Sequence, residues 1–194
     1  MLDSTKDTII RKTIQTFALH GYEGFSIRTL ANTIPITPSV IYHHFVDKDA
    51  LLQKMYETAN KTLGEKRAQL STPLTAAEML RQRIEFQIDN QELIVAVVKY
   101  YLVYRNTFKK TPHGFVPDKS SLHIEEVLRY GVEKNEFSIS DIADDAKVIT
   151  HAINGFLLEY YPYTPKGIEK KELIDRIYLF LIRALKGGES LLNL

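Results

Sequence analysis

Apolar residues recur every three or four positions along most of the 194-residue chain, and this spacing predicts amphipathic helices. All seven prolines fall where such a pattern starts or stops, so long uninterrupted helices remain between them. No stretch alternates apolar and polar residues for long, as a half-buried strand would. The predicted fold class is therefore all-α. The predicted helices span residues 4–20, 27–34, 38–45, 48–70, 75–89, 91–109, 119–134, 141–161 and 168–187.

The composition indicates an ordinary globular protein, because 44% hydrophobic and 25% charged residues supply both a core and a solvated surface. The chain has no cysteine, which excludes disulfides and thiolate chemistry. Its longest apolar stretch, Leu93 to Tyr104, is interrupted by Lys99 and is shorter than the ~20 residues that cross a bilayer. No apolar leader is apparent at the N-terminus. We therefore expect a soluble, cytoplasmic protein with no membrane partner.

The charge pattern gives no general electrostatic case for nucleic-acid binding. The net charge is +1, and residues 1–50 contain five basic and five acidic side chains. These are Lys6, Arg11, Lys12, Arg28 and Lys48 against Asp3, Asp7, Glu23, Asp47 and Asp49. Any recognition of DNA has to come from a local motif and not from a basic surface.

Such a motif is present between Ser26 and Phe45. Ser26 is a suitable N-cap for a short helix, and Pro35 lies in a tight turn before a second short helix that starts after Thr37. Two helices that cross steeply need a small residue at the crossing, and Ala31 supplies it. Apolar side chains for the inner faces come from Leu30, Ile34, Ile36 and Ile41. This spacing predicts a helix-turn-helix.

The same region resembles the DNA-binding domain of the tetracycline-repressor (TetR) family. The resemblance is carried by residues 17–24 (FALHGYEG), 26–28 (SIR), 41–45 (IYHHF) and 47–52 (DKDALL), which occur in the family's order and register. Any one of these segments alone would be a weak signal, whereas their ordered assembly is specific.

The resemblance implies DNA-contacting roles for particular side chains. It implies phosphate contacts for Ser26, Thr37, Tyr42, His43 and Lys48. It implies contacts with base edges for Pro38, Ser39 and Val40, and a contact with either backbone or base for Arg28. Helix N-termini that point at phosphates would allow so neutral a domain to bind DNA.

One residue departs from the family pattern. Pro35 occupies the turn position that many members fill with glycine. Proline cannot adopt a positive φ, and it disfavours the α conformation at Ile34. We therefore expect a different backbone shape in this turn.

The remainder of the chain is predicted to form a second domain, residues 48–194 after a DNA-binding domain of residues 1–47. The eighth helix has small residues on one face, and the last helix is apolar all round, which a single core face does not require. The family builds its dimer from these two helices, and the resemblance implies a homodimer here. Burial of the last helix inside one subunit is the alternative. The predicted interface residues are Val148, Ala152, Gly155, Ile177, Phe180 and Leu181.

An effector pocket is suggested only by composition. Aromatic residues crowd the middle helices beside a few polar ones, which suits a small, mostly hydrophobic ligand with some polar atoms. Aromatics at helical spacing are also common core residues. The predicted pocket residues are Phe86, Tyr100, Tyr104, His123, His151 and Asn154. No metal-ligand spacing, cofactor motif or catalytic signature is apparent, so we expect no metal, no cofactor and no enzymatic activity.

Together these features predict a homodimeric repressor that binds a palindromic operator in double-stranded DNA and is released by a small ligand. Two alternatives stay open. In the first, the protein is a family member that acts as an activator or has no small-molecule effector. In the second, it is an all-helical small-molecule-binding protein or enzyme with an incidental helix-turn-helix.

Overall fold

The computed structural model describes residues 4–71, 75–105, 120–162 and 168–186. Within these residues the chain forms helices and no strand, which confirms the all-α fold class. The helices are α1 (Thr5–Gly24), α2 (Ile27–Ala31), α3 (Pro38–His44), α4 (Lys48–Ala68), α5 (Ala76–Asp89), α6 (Gln91–Tyr104), α7 (Ser120–Glu133), α8 (Ile142–Tyr160) and α9 (Lys170–Leu185).

Most predicted boundaries lie close to these. The predicted ends of α6 at 109 and of α9 at 187 lie outside the described residues. The clearest difference is α2, which ends at Ala31 and not at residue 34. After it, Thr33 N donates to Leu30 O at 2.9 Å and Ile36 N to Ile34 O at 2.8 Å. These short-range bonds replace the helical ladder because Pro35 disfavours the α conformation at the residue before it.

Side-chain caps define several helix starts. A serine hydroxyl or an aspartate carboxylate accepts the backbone N–H three residues ahead, which satisfies a donor that the helix itself leaves free. This occurs at Ser4, Ser26, Asp47 and Asp141. The regular part of α1 ends at Gly21, whose φ of 64° and ψ of −169° lie outside the helical region.

The chain divides into two compact units. The N-terminal unit comprises Met1–Gln69 with Asn90–Phe115 and contains α1 to α4 and α6. In it, α1 packs along α6 and α4, and α2 packs on α3. Its fully buried side chains include Phe17, Leu30, Ile41, Leu51 and Met55. The first of these units extends past residue 47, and the predicted boundary there between a DNA-binding domain and a second domain stays a prediction.

The C-terminal unit comprises Leu70–Asp89 with Val116–Leu194 and contains α5 and α7 to α9. Here α7 packs on α8, and α5 packs on α7 and α9. Arg81 on α5 donates to Asp175 on α9 at 2.5 Å, and the carboxylate of Glu136 accepts the N–H groups of Ala76 and Ala77 at the start of α5. Its buried core includes Leu80, Ile84, Ile124, Leu128 and Ile153.

Among the helices of the described residues, none is both long and apolar enough to cross a membrane.

Candidate nucleic-acid interface

The inner face of the helix-turn-helix is an apolar core. Leu30 and Ile41 are fully buried, and Ala31 and Ile34 nearly so, as the sequence predicts. Ile36 is only half-buried. Phe17 of α1 meets Phe25 edge-on, with ring centroids 6.0 Å apart, beneath these helices. α3 is therefore held from one side and presents its other side outward.

The outward side of α3 carries the residues predicted to contact DNA. Pro38, Ser39 and His43 are exposed, Tyr42 is 54% exposed, and Val40 is half-buried. Proline at the first helical position has no N–H to leave unsatisfied, so it starts α3 without cost. The side chains at this end of the helix are short, which allows close approach to a DNA groove.

The two predicted phosphate-binding hydroxyls differ in their present bonds. Thr37 is exposed and is the N-cap of α3, yet its side chain makes no capping hydrogen bond. The hydroxyl of Ser26 accepts the Thr29 N–H at 2.9 Å and lies 2.6 Å from the Thr29 hydroxyl. A phosphate at α2 would therefore compete with an existing cap, whereas one at α3 would not. Arg28 is exposed on α2.

Lys48 has a structural contact that the sequence did not predict. Its Nζ donates to the carbonyl oxygen of Tyr22 at 2.8 Å and lies 3.7 Å from the centroid of the Tyr22 ring. The ammonium thus ties the start of α4 to the end of α1. An ammonium has three N–H groups, so the predicted phosphate contact of Lys48 stays a prediction.

Behind the helix-turn-helix, α4 and α6 are joined by stacked tyrosines. Tyr100 stacks on Tyr56 at 4.6 Å and on Tyr104 at 4.4 Å between ring centroids. The Tyr104 hydroxyl donates to Asp49 at 2.6 Å, and the Tyr22 hydroxyl donates to the same carboxylate oxygen at 3.4 Å. Burial raises the pKa of Tyr100 to about 12 and, with the Asp49 bond, raises the pKa of Tyr104 further.

Lys99 on α6 completes this side of the N-terminal unit. Its Nζ donates to the carbonyl oxygens of Ala18 at 2.6 Å and Leu19 at 3.4 Å, near the end of the regular part of α1. Burial lowers the pKa of Lys99. Lys99 is not among the predicted site residues, although a single charge inside an apolar stretch indicates that the charge has a partner.

The predicted pocket residues are divided between the two units. Tyr100 and Tyr104 belong to the tyrosine stack of the N-terminal unit. In the C-terminal unit, Phe86 and Asn154 are buried and His123 is half-buried. His151 is exposed, on the same face of α8 as Val148 and Gly155, and does not share the buried face of Asn154.

The predicted interface residues are mostly exposed in the single chain. Val148 on α8 is 59% exposed and Phe180 on α9 is 73% exposed. Ala152 and Gly155 are also exposed. Ile177 is half-buried, whereas Leu181 is buried within the chain and belongs to the core of its own unit.

Within the part of the chain that the structure describes, no group of three or more histidine, aspartate or glutamate side chains is arranged to hold a metal ion.

A buried inner face, an outward α3 with an accessible N-terminus, and a supporting α1 define a helix-turn-helix protein of the DNA-binding class. Residues 9–55 match the family model described as bacterial regulatory proteins, tetR family.

Similar proteins agree with this match. The chain is 30% identical over 82 residues to the probable HTH-type transcriptional regulator YttP of Bacillus subtilis, and the match covers 40% of each chain. It is 25% identical to the solved TetR-family regulator PfmR of Thermus thermophilus, with a TM-score of 0.66 over 95% of this chain and 100% of PfmR. A solved transcriptional regulator from Saccharomonospora viridis in complex with choline has the same fold, with 16% identity and a TM-score of 0.66 over 93% of this chain and 96% of that one.

Residues 9–55 form a DNA-binding domain of the TetR type, and the chain is similar over 95% of its length to a TetR-family transcriptional regulator. The predicted family is confirmed, and the relatives are regulators and not enzymes.

Proposed function

We propose that the protein is a repressor that binds a two-fold symmetric operator as a homodimer and leaves it when a small molecule binds. DNA binding by a bacterial regulator takes place in the cytoplasm, where we expect the protein to act. The observation that carries the DNA part of the proposal is the outward side of α3, where Pro38, Ser39, Tyr42 and His43 are exposed and Val40 is half-buried.

α3 supports a reading mechanism with two kinds of contact. The free hydroxyl of Thr37 and the exposed phenol of Tyr42 are suited to phosphate oxygens, which fix the position of the helix. Val40 and Ser39 are suited to the major groove, where a valine methyl can meet the methyl group of thymine. Recognition therefore depends on a few contacts with bases, held in place by contacts with the backbone.

The exposed apolar residues of α8 and α9 support the homodimer. Phe180 is 73% exposed, and covering its apolar ring with a second protein surface lowers the free energy of the assembly. Apart from the backbone of its own helix, no atom of the described residues lies within 4 Å of the position that a Cβ of Gly155 would take, so a neighbouring helix could approach closely there. A dimer axis would then impose two-fold symmetry on the operator.

The experiment that tests the proposal is a selection of bound sequences from a random DNA pool, using the full chain. We expect a palindrome whose half-sites are roughly 10 base pairs apart, occupied by two copies of the chain. Val40→Ala should change the preferred base at one position of each half-site, by about 1–3 kcal/mol.

Val46→Ala is a matched control, because Val46 is 81% exposed but follows α3 and lies outside the predicted contact set. The control should select the same sequence as the unaltered chain. An asymmetric selected site bound by a single copy would overturn the proposed dimeric mode of binding.

Activation is the second candidate for the direction of control. The DNA-binding face is the same in both cases, and the position of the operator relative to a promoter decides between them. A selected operator that overlaps promoter elements supports repression, and one placed upstream of them supports activation.

A further inference from the structure

Three polar atoms in the C-terminal unit are buried without a hydrogen-bond partner among the residues that the structure describes. They are Nε of Arg83 and Oε1 of Gln87, both on α5, and Oγ1 of Thr150 on α8. A buried polar group without a partner costs free energy, and most proteins contain few of them. Each such atom is therefore a candidate to form a hydrogen bond with a bound molecule.

Arg83 is the most unusual of the three because it carries a charge. Its side chain is only 16% exposed, and among the described residues it pairs with Glu126 of α7, whose Oε2 is 3.9 Å from Nη2. That separation is too long for a hydrogen bond. Burial lowers the pKa of the Arg83 guanidinium, and the Glu126 charge only partly opposes this. A guanidinium is nevertheless charged at any ordinary pH, so its charge is incompletely compensated.

Arg81, two residues earlier on the same helix, is an arginine whose charge is neutralised by close carboxylates. It bonds to Asp175 at 2.5 Å and to Glu85 at 3.1 Å. Glu126, by contrast, is 65% exposed and also lies 3.8 Å from Nδ1 of His123. Arg83 is therefore not simply one half of a close ion pair.

The positions of the unpartnered atoms define the chemistry of a matching ligand. Arg83 and Gln87 are four residues apart and lie on the same side of α5. A guanidinium fork binds the two oxygens of a carboxylate side by side, and the Gln87 oxygen can accept one hydrogen bond from a hydroxyl or N–H group. Buried aliphatic side chains nearby in sequence, Ile84 on α5 and Ile124 and Val127 on α7, suit an apolar body.

We propose that the effector of this regulator is an amphipathic carboxylic acid that also carries a hydroxyl or N–H group. Its carboxylate binds Arg83 in the C-terminal unit, and its hydroxyl or N–H group donates a hydrogen bond to Oε1 of Gln87. This inference rests on the proposed control by a small molecule. It specifies that the small molecule carries a negative charge. It therefore excludes a cation such as the choline bound by the structural relative from Saccharomonospora viridis.

The stability of a variant without the Arg83 charge tests, in the absence of ligand, whether that charge lacks a close partner. Arg83→Met keeps most of the apolar stem and deletes an uncompensated buried charge, so the melting temperature of the ligand-free protein should rise. Arg81→Met, the matched control on α5, deletes a close ion pair and should lower it. A fall for Arg83→Met as large as that for Arg81→Met would overturn the proposal, because Arg83 would then be a structural ion-pair residue.

Ligand binding is tested with hydroxylated straight-chain acids, from hydroxyhexanoate to hydroxydodecanoate. Each is compared with the acid that lacks the hydroxyl and with counterparts in which a primary alcohol or a primary ammonium group replaces the carboxylate. Calorimetric titration should show that the acids bind to the unaltered protein. Arg83→Met should weaken their binding by about tenfold or more, as expected for loss of a hydrogen-bonded charge pair. Arg83→Lys should weaken them less, since it keeps the charge but loses the fork. Glu126→Gln should strengthen binding, because it removes a negative charge near the carboxylate.

Release of operator DNA, read by fluorescence anisotropy, separates the two proposals. If only alcohols or ammonium compounds bind and release DNA, the carboxylate proposal is wrong and control by a small molecule stands. If acids bind equally well to the unaltered protein and to Arg83→Met, Arg83 is not their site and the proposal is wrong. If no series binds or releases DNA, both proposals are contradicted.

Discussion

Two glycines show how differently the same residue type acts at different positions. Gly21 has a φ of 64° with a ψ of −169°, a conformation that other residues adopt only under strain, and it breaks α1 before Tyr22. Gly64 lies inside α4, and a Cβ there would meet no atom of the described residues within 4 Å beyond the backbone of its own helix. Backbone geometry matters at the first position, whereas only helix propensity matters at the second.

Opposite effects on stability are therefore expected from the same substitution. Gly21→Ala should lower the free energy of unfolding by about 1–3 kcal/mol, because alanine is strained there. Gly64→Ala should raise it by about 0.5–1 kcal/mol, because alanine favours the helix and restricts the unfolded chain. Urea unfolding followed by circular dichroism measures both. Equal effects of the two substitutions would contradict the assigned backbone conformation of Gly21.

The buried Tyr100 makes stability depend on alkaline pH. Its pKa is raised from the usual 10.0 to about 12, chiefly by burial and also by neighbouring Tyr56 and Asp49. Between these values the unfolded chain has released a proton that the folded chain still holds, so stability is complete below pH ~10 and falls as pH rises toward ~12.

The midpoint of urea unfolding, measured across this range, should decrease with pH in the unaltered protein and decrease less steeply in Tyr100→Phe. Tyr42→Phe serves as the control, because Tyr42 is 54% exposed and lies outside the stack. Parallel pH curves for the unaltered protein and Tyr100→Phe would show that other groups cause the loss. Tyr104, whose pKa is also raised, should contribute in the same direction.

Sequence patterns predicted residues whose role depends on their own helix. The inner residues of the helix-turn-helix, such as Leu30 and Ile41, are buried because periodicity alone places them on one face. Partners on other helices were not predictable in this way. The Lys48–Tyr22 and Lys99–Ala18 bonds join residues that are 26 and 81 positions apart, and local spacing carries no information about such pairs.

At the scale of helices, Lys99 fastens α6 to the end of α1. Lys99→Met keeps an apolar stem but leaves the Ala18 and Leu19 carbonyls without their charged donor, so the free energy of unfolding should fall by about 1–3 kcal/mol. Hydrogen exchange should increase most in the turn of α1 that ends at Gly21, and chemical denaturation gives the overall change.

Lys61→Met is the matched control for this prediction. Lys61 is exposed on α4 and forms only a surface ion pair with Glu65, so its loss should cost less than about 1 kcal/mol. A loss for Lys99→Met no larger than that for Lys61→Met would mean that the bonds to α1 contribute nothing to stability.

Helix boundaries were predicted well where caps and prolines mark them, and less well at α2. Pro35 restricts Ile34, the residue directly before it, whereas α2 ends three residues earlier than the predicted end at 34. The helix ends at Ala31 because the backbone already turns at Asn32 to Ile34. The effect of proline on the preceding residue can be predicted from the sequence. How many residues before Pro35 leave the helix depends on the packing of Ile34 in the core.

At the scale of the whole molecule, the proposed dimer can be broken by a single charge. Phe180→Asp should convert the protein to a monomer and abolish operator binding, because a carboxylate would be buried at the interface. Sedimentation velocity gives the oligomeric state, and anisotropy with operator DNA gives the affinity.

Leu122→Asp tests whether this effect is specific to the predicted interface. Leu122 is 46% exposed on α7 of the same unit and is not among the predicted interface residues. It should leave the dimer intact. If the Phe180→Asp variant is still a dimer, α9 is not part of the interface.

The division of the molecule into units illustrates what periodicity leaves undetermined. Helical spacing marks α6 as a helix and says nothing about which helices it packs against. In the folded chain α6 belongs with α1 to α4, although α5 separates them in sequence. Such an arrangement depends on matching surfaces across long stretches of chain, which a single sequence does not reveal.

The balance of charge in the first fifty residues has a consequence for how the regulator would search a genome. Affinity for random DNA comes mainly from counterions that are released when basic side chains neutralise phosphates. Five basic residues offset by five acidic ones provide little of this attraction. Fewer molecules are then held on the many competing sites of a chromosome, and more are free to reach the operator. A small number of copies per cell would be enough to keep one operator occupied.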